Sequence, residues 1–190
     1  MTDQSKMPKA QSVTKEGEDD GYVPPSAYSA RVLRGGYTRL DISTPMDKLA
    51  ILHKELVKTI QFPCKLRYVK MTDRQKGQLE KPESYVAVEV SRDRMMQALL
   101  DFEDLFYYDG RNQLWILGAA KEQIILDELG MLYVYPDDFV FRDALTMLGW
   151  PEMKHESMAQ RDYVKVNFSA IADEQERSLL NSFGMIRWEG

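Results

Sequence analysis

The sequence has few of the residues that usually carry metal sites and nucleophilic catalysis. Among its 190 residues are one cysteine, Cys64, and two histidines. A single cysteine excludes an internal disulfide and a cysteine-based zinc site, and it is typical of a reducing compartment. We therefore expect a soluble cytoplasmic protein, of prokaryotic type.

Long apolar runs and the common nucleotide-binding motifs are also absent. No run approaches the roughly 18 apolar residues that a membrane span needs, and the N-terminus lacks the apolar stretch of a secretory signal. The sequence contains no G-x-G-x-x-G and no Walker-type G-x-x-x-x-G-K-[ST]. We also find no nucleophile–base pair, so we expect no cofactor, no metal and no catalytic residues, and we favour a binding function over an enzyme.

The net charge of the chain is small, −5 at pH 7. A negative net charge excludes a uniformly basic protein that coats nucleic acid. Its charges are nevertheless segregated. Residues 31–76 hold 11 basic against 4 acidic residues, whereas residues 77–190 hold 11 basic against 21 acidic residues. Such blocks indicate either a basic surface for a phosphate, an RNA or an acidic protein, or ion pairs between the two halves of the chain.

Lys65 and Arg67 are the first candidates for such a basic surface. On an alternating strand over 64–71 they point away from Leu66 and Tyr68. The cations that would join them from the preceding strand are Arg31, Arg34 and Arg39.

Nucleic-acid binding through an open sheet face is not expected. That mode needs aromatic side chains on the central strands, where they stack on bases. The strand over 84–90 would present Tyr85, Ala87 and Glu89 on its outer face, and the carboxylate would oppose a phosphate backbone.

The chain divides into three predicted segments. Residues 1–27 are predicted to be a disordered tail, because they are polar, carry almost no branched apolar residues and end near Pro24-Pro25. Residues 28–118 are predicted to form a ferredoxin-like α+β lobe. Residues 119–190 are predicted to form a smaller α+β lobe packed on the first.

The pattern from residue 30 to residue 118 reads β-α-β-β-α-β, which is the ferredoxin-like split βαβ order. Its strands are expected over 30–41, 64–71, 84–90 and 112–118, and its helices over 45–62 and 91–108. Gly35-Gly36 predicts a bend within the first strand. Thr44 is the predicted N-cap of the first helix, and His53 on its apolar face is typical of a packed, hydrogen-bonded histidine.

The second half alternates less clearly. Residues 123–136 favour a hairpin that turns at Leu129-Gly130, with a helix over 119–129 as the alternative. The later elements predicted are a helix from Pro136 to Gly149, a strand over 162–168 with Val164, Val166 and Phe168 inward, a helix capped by Asp173 with Glu176, and a last strand over 185–188.

Two features suggest sites. The first is a group of acidic residues that brackets the predicted hairpin: Asp127, Glu128, Asp137 and Asp138. The alternative hypothesis for the function is that they hold a metal or a small ligand in an enzyme. Asp137 and Asp138 also suit a helix N-cap. The helix over 92–108 carries a second apolar stripe of Met96, Leu100 and Tyr107, which either the C-terminal lobe or another protein must cover.

These observations together predict a non-enzymatic protein–protein interaction module, an adaptor or regulatory subunit. Lys65, Arg67, Arg34 and Arg39 would steer an acidic partner, and Met96, Leu100 and Tyr107 would supply apolar burial. Self-association is the other expected use of the same residues. A weak nucleic-acid binder through the basic 31–76 region is a further alternative.

Overall fold

A computed structural model describes residues 6–165 and 168–189. It has a mixed α+β architecture in which five helices accompany one eight-stranded antiparallel sheet and a separate two-stranded sheet. The strands are Ala10–Ser12 (β1), Ala27–Val32 (β2), Thr38–Ser43 (β3), Cys64–Asp73 (β4), Gly77–Val90 (β5), Asn112–Leu117 (β6), Gln123–Leu126 (β7), Leu132–Tyr135 (β8), Tyr163–Lys165 (β9) and Ile186–Trp188 (β10). The helices are Met46–Thr59 (α1), Arg92–Asp101 (α2), Glu103–Tyr107 (α3), Phe139–Met147 (α4) and Ala170–Ser182 (α5), with a 3-10 turn at Met158–Gln160.

The ferredoxin-like strand order predicted for residues 30–118 is wrong. The sheet runs β10-β5-β4-β6-β7-β8-β3-β2, and every neighbouring pair is antiparallel. A split βαβ unit would place the first strand parallel to β5, but β3 pairs with β2 and β8 instead. The short connections between β4 and β5 and along β6, β7 and β8 make these strands antiparallel neighbours. The helical connections from β3 to β4 and from β5 to β6 link strands that are parallel but not adjacent in the sheet.

The first predicted strand, over 30–41, is a hairpin rather than one bent strand. β2 and β3 pair along their whole length, with Ala27 opposite Ser43 and Val32 opposite Thr38. Gly35 and Gly36 lie in the turn with φ of +96° and +82°, a region that residues with a side chain rarely adopt. The two glycines therefore reverse the chain instead of bending it.

The predicted boundary at residue 118 falls between β6 and β7, which pair as neighbours in the same sheet. β7 and β8 then separate β6 from β3, so strands from both sides of that boundary alternate across one sheet. The hairpin predicted over 123–136 is confirmed, because Leu126 lies opposite Leu132 and Gln123 opposite Tyr135.

The predicted disorder of residues 1–27 does not hold for the part of that segment that the structure describes, from Lys6 onward. β1 pairs antiparallel with β9, which lies about 150 residues later in the chain. The ammonium of Lys9 is buried and donates to the carbonyl oxygens of Phe106 (3.0 Å) and Asn112 (2.9 Å). These partners are distant in sequence, so local composition contains no sign of them. Residues 1–5 lie outside the described residues.

The main core lies between the helices and one face of the large sheet. α1 buries Leu49, Leu52, His53, Leu56 and Val57 against it. The helix predicted over 91–108 begins as expected, with the Ser91 hydroxyl accepting from the Arg94 N–H, but it breaks at Phe102 into α2 and α3. The buried apolar residues of all five helices belong to this one cluster.

Several predicted helix starts and strand ends differ in detail. α1 begins after Pro45 without a side-chain cap, so Thr44 is not its N-cap, and Ser169 rather than Asp173 caps α5. Asp138 caps α4 by accepting from the Val140 N–H, which confirms the N-cap role predicted for it. The strand predicted over 162–168 begins at Tyr163, and Val164, predicted to face inward, is 43% exposed. Val166, the next predicted inward residue, lies outside the described residues.

Candidate functional site

The outer face of the large sheet, opposite the helices, carries the most distinctive side chains. Along β4, Leu66 and Tyr68 are buried beneath the helices, whereas Lys65 and Arg67 project to the other side, as the alternation predicts. Arg67 lies opposite Trp115 on β6 and Val86 on β5, so these three side chains share the outer face.

The expectation that Tyr85 and Ala87 lie on the outer face is wrong. Tyr85 is opposite Tyr68 and Ala87 is opposite Leu66, so both face the helices. A bulge near the end of β5, where Glu89 has φ of +55°, then brings Val90 back to the core. An extra residue in one strand shifts the alternation, and simple period-two counting from Val90 therefore assigns the wrong face.

Arg67 is held between two indole rings on the outer face. Its guanidinium carbon lies 4.9 Å from the Trp115 ring centre and 4.5 Å from that of Trp188. Nε and Nη2 donate to the Ser84 hydroxyl at 3.2 and 2.8 Å. Stacking between aromatic faces holds the planar guanidinium in one orientation.

No carboxylate in the described part of the chain lies within 4.0 Å of the Arg67 guanidinium, and Nη1 has no hydrogen-bond acceptor there. Burial lowers the pKa of Arg67 below its usual value, as expected for a cation with no opposite charge beside it. The side chain lines a cleft of about 690 Å³ whose rim carries Lys81 and an Arg187–Glu83 ion pair. The cleft therefore presents an oriented cation that lacks a counter-charge.

Arg39 forms a similar stack with a different electrostatic outcome. Its guanidinium lies 4.3 Å from the Tyr133 ring centre and donates to the Tyr135 hydroxyl at 3.1 Å. It also forms an ion pair with Asp41, which Arg31 contacts at 3.2 Å. Asp41 therefore neutralises Arg39 within the chain, whereas Arg67 has no such partner among the described residues.

The basic 31–76 region does pair in part with the acidic second half, which was the other interpretation of its charge. The ion pairs between the halves are Lys54–Glu103 at 3.4 Å, Lys70–Glu176 at 2.9 Å and Arg74–Asp173 at 2.7 Å. Lys65 and Arg67 form none with described residues. The cations of this region thus divide into a group that is neutralised within the chain and a group without an ion pair to described residues, which includes Lys65 and Arg67.

The other predicted partner-binding residues do not join Lys65 and Arg67 in one patch. Arg39 lies on β3, four strands from β4, and at about 4.8 Å per strand this separates them by roughly 19 Å. Arg34 lies beyond it, exposed in the turn between β2 and β3. A contact centred on Arg67 would have to extend roughly 19 Å across the sheet to include Arg39.

The apolar stripe predicted on the helix over 92–108 is largely covered by the chain itself. Tyr107 is fully buried and Met96 packs partly buried against the core, so the chain itself covers two of the three residues predicted to supply apolar burial against a partner. Leu100 remains 54% exposed. Because α2 packs on the helical side of the sheet, Met96 and Leu100 also lie on the opposite side of the sheet from Arg67.

The acidic residues around the β7–β8 hairpin are separated by it. Asp127 lies in the turn and accepts from the Leu129 and Met131 N–H groups, and burial raises its pKa to about 6. Asp137, at the other end of the hairpin, binds Arg142. Within residues 6–165 and 168–189 no group of three or more His, Cys, Asp or Glu side chains is placed to hold a metal ion.

His53 is the packed histidine that its position predicts. It is fully buried, and its Nδ1 lies 3.0 Å from the Tyr107 hydroxyl. Burial, with smaller contributions from Lys9 and Lys54, lowers its pKa to about 3, so the ring is neutral at pH 7. Cys64 is likewise buried, and burial raises the pKa of its thiol to about 11, which disfavours the reactive thiolate.

Trp115 and Trp188 are the site residues that sequence reasoning missed. The alternation along β6 does place Trp115 on the face opposite Leu114 and Ile116, so its orientation was predictable. Trp188 reaches Arg67 only because β10 pairs with β5, with Trp188 opposite Ser84. Nothing local to residues 186–188 indicates that pairing.

None of the helices within the described ranges has the length and apolar character that a bilayer crossing requires. Comparison with known proteins adds no constraint on function: no protein-family model, no curated protein and no solved structure matches this chain.

Proposed function

We propose that this protein is a non-enzymatic protein-binding module, an adaptor or regulatory subunit of the cytoplasm. The observation that carries the proposal is Arg67, a guanidinium fixed between Trp115 and Trp188 with no carboxylate of the described chain within 4.0 Å of it. An acidic side chain of a partner would supply the missing charge through charge-assisted hydrogen bonds. Binding would then be favoured because Arg67 gains an ion pair that it does not form in the free protein.

The cleft is lined by the basic side chains of Lys81 and Arg187, by the carboxylates of Glu83 and Glu189, and by apolar and aromatic surface. Val69, Met71, Trp115 and Trp188 provide apolar and aromatic surface around the guanidinium. Aromatic, methionine and arginine side chains are enriched in protein interfaces. Lys65, exposed on the same face, would raise the association rate with an acidic segment. The net charge of −5 disfavours a long polyanion as the partner.

A random-peptide display library panned on the immobilised protein tests the proposal. We expect enrichment of peptides that carry Asp or Glu beside apolar residues. For the best synthetic peptide, Arg67→Gln should weaken binding at least tenfold, because a hydrogen bond to a charged group is lost. Arg39→Gln removes the other stacked arginine, whose charge Asp41 already balances, and should change affinity less than twofold. Enriched peptides without acidic residues, or equal binding by Arg67→Gln, would contradict the proposal.

The association kinetics test the steering role of the two outward cations. In the double variant Lys65→Glu, Arg67→Glu, the association rate constant for the same peptide should fall, and its dependence on salt should flatten. Stopped-flow fluorescence of Trp115 and Trp188 can follow the reaction. Unchanged kinetics at low salt would remove Lys65 and Arg67 from the interface.

Two other binding partners of the Arg67 cleft, a nucleic acid and a second copy of the chain, would each give a different experimental result. If single-stranded RNA binds more tightly than the acidic peptide and is lost in Arg67→Gln, the surface recognises nucleic acid. If the wild-type protein sediments as a dimer and Arg67→Gln as a monomer, a second copy of the chain covers the cleft. Either result would overturn the acidic-protein proposal.

A further inference from the structure

An exposed apolar side chain adjoins the Arg67 cleft at the β10 edge of the sheet. Ile186 on β10 lies opposite Val86 on β5, and Val86 lies opposite Arg67 on β4. Directly opposed residues of antiparallel strands point to the same face, so Ile186 lies on the outer face with Arg67. Its side chain is 75% exposed. It therefore stands in solvent in the same row of side chains as the unpaired guanidinium.

Val88 extends this apolar surface along β5. It is two residues from Val86, so the alternation places it on the same face, and it is 60% exposed. β10 begins at Ile186, opposite Val86, and no other described strand lies along this edge beside Val88. Ile186 and Val88 are diagonal neighbours, which in antiparallel strands lie about 7–8 Å apart. The two side chains form one exposed surface, here called the Ile186 patch.

The position of the Ile186 patch on an edge strand indicates an interaction surface. Edge strands are usually protected by charged side chains or prolines that prevent association. On β10, by contrast, the side chains that point to the outer face are Ile186 and Trp188. Exposed apolar side chains that adjoin one another are typical of binding surfaces.

The charges beside the Ile186 patch indicate which partner covers it. Lys65 and Arg67 project from β4 to the same face, and neither forms an ion pair with a described residue. The patch thus borders the uncompensated cations on which the acidic partner is proposed to bind. A partner segment that reaches Arg67 with an acidic side chain would pass directly beside Ile186.

The strand spacing sets the distance between the two contacts. Arg67 and Ile186 lie two strands apart, which at about 4.8 Å per strand is roughly 10 Å. Each residue advances a chain by at most about 3.6 Å, so an acidic residue at Arg67 and an apolar residue at Ile186 would be at least three positions apart in the partner.

We propose that the partner of the Arg67 cleft carries, at this spacing from its acidic residue, an apolar residue that packs on Ile186 and Val88. The inference rests on the proposed function, because it assigns a second contact to the same partner. The ion pair with Arg67 supplies charge recognition, and the Ile186 patch supplies apolar burial. Two contacts at a fixed separation also set the direction in which the partner segment lies on the sheet.

The acidic peptides enriched on the immobilised protein are the probes for this contact. We expect them to carry an apolar residue at the spacing given above. Its replacement by alanine should weaken binding roughly three- to tenfold, because the burial of its side chain is lost. The double variant Ile186→Thr, Val88→Thr should weaken the parent peptide by a similar factor and keep the branching at Cβ that favours strands. It should add little to the effect of the alanine peptide, because both changes remove the same contact.

Val32→Thr is the matched control. Val32 is 72% exposed on β2, the opposite edge strand of the same sheet, so its replacement should leave the affinity unchanged. Independent, additive effects of the alanine peptide and the double variant would place the apolar residue elsewhere and overturn the inference. A wild-type dimer that Ile186→Thr, Val88→Thr converts to a monomer in sedimentation would assign the patch to a second copy instead.

Arg67→Gln separates the failure of this inference from the failure of the proposed function. If Arg67→Gln weakens binding and Ile186→Thr, Val88→Thr does not, the patch is not a contact and the proposed function stands. If neither variant changes the affinity, or if no acidic peptide is enriched, both proposals are wrong.

Discussion

Arg67 and Arg39 show how one residue type acquires two roles on the same sheet face. Both guanidinium groups stack on aromatic rings, with Trp115 and Trp188 around Arg67 and Tyr133 beneath Arg39. Asp41 neutralises Arg39, whereas no described carboxylate lies within 4.0 Å of the Arg67 guanidinium. Stacking orients each cation, and the counter-charge decides whether its attraction is used within the chain or is available to a partner.

His53 makes stability depend on pH in a predictable direction. Its pKa is about 3 in the folded protein and about 6.5 when unfolded, so between these values the unfolded state binds more protons. Stability is therefore fully present above pH 6.5 and is lost as pH falls toward 3, at a limiting slope of about 1.4 kcal/mol per pH unit. Relative to His53→Gln, the free energy of unfolding of the wild type should fall by about 1.5 kcal/mol between pH 6.5 and 5.

Urea unfolding at several pH values measures this difference. Asp127, with a pKa raised to about 6, contributes the opposite slope between about pH 4 and 6, but it is common to both proteins and cancels in the comparison. His155→Gln, at a half-buried position between α4 and the 3-10 turn, is the matched control and should keep the wild-type slope. Parallel pH profiles for the wild type and His53→Gln would show that His53 titrates normally.

At the scale of elements, a buried ion-pair network joins α5 to the start of β6. Arg111 is 1% exposed and donates to both oxygens of Asp109 at 2.8 and 2.9 Å. It also pairs with Asp173 on α5, and the Ser169 N–H at the start of that helix donates to Asp109. The network replaces the hydration of two buried charges and fixes where α5 packs.

Removing one charge of this network should be strongly destabilising. Asp109→Asn leaves Arg111 buried with less negative charge beside it, and we expect a loss of about 3–5 kcal/mol in the free energy of unfolding. Asp143→Asn, on the exposed side of α4, is the control and should change stability by less than about 0.5 kcal/mol. Urea denaturation followed by circular dichroism measures both. A loss below about 1 kcal/mol for Asp109→Asn would mean that solvent reaches Arg111 readily.

At the scale of the whole molecule, one sheet connects segments that the sequence pattern separates. β7 and β8 lie between β6 and β3, and β10 lies at the far edge against β5. The main core is likewise one cluster that includes residues from α1 to α5. Such sharing of strands and core favours unfolding in a single step.

We therefore predict one cooperative unfolding transition for the full chain. Far-UV circular dichroism and tryptophan fluorescence, which reports Trp115, Trp150 and Trp188 in different parts of the chain, should give the same midpoint in urea. Two separate transitions would contradict this expectation and would support independent lobes divided near residue 118. A calorimetric enthalpy equal to the van't Hoff enthalpy provides the second check.

Local chemistry was enough to predict elements whose causes lie within a few residues. The apolar spacing of α1, the alternation of β4, the Ser91 cap and the Leu129-Gly130 turn all depend on neighbours no more than a turn or a strand away. The outward direction of Lys65 and Arg67 followed from the same alternation. The periodicity of apolar side chains and the residue preferences of turns are local properties, so they can be predicted without knowledge of the fold.

The sequence by itself thus determined the class of the locally specified elements, such as α1 and β4, and the placement of Lys65 and Arg67 on the outer side of β4. Only the tertiary structure decided the strand order, the ordering of the N-terminal segment against β9, and the placement of Trp188 beside Arg67. These contacts join residues about 100 to 150 positions apart, and which of many possible pairings forms depends on the burial and hydrogen bonding of the whole chain. The candidate site arises from those long-range pairings, because an arginine on one strand becomes an oriented, unneutralised cation only when two distant tryptophans enclose it.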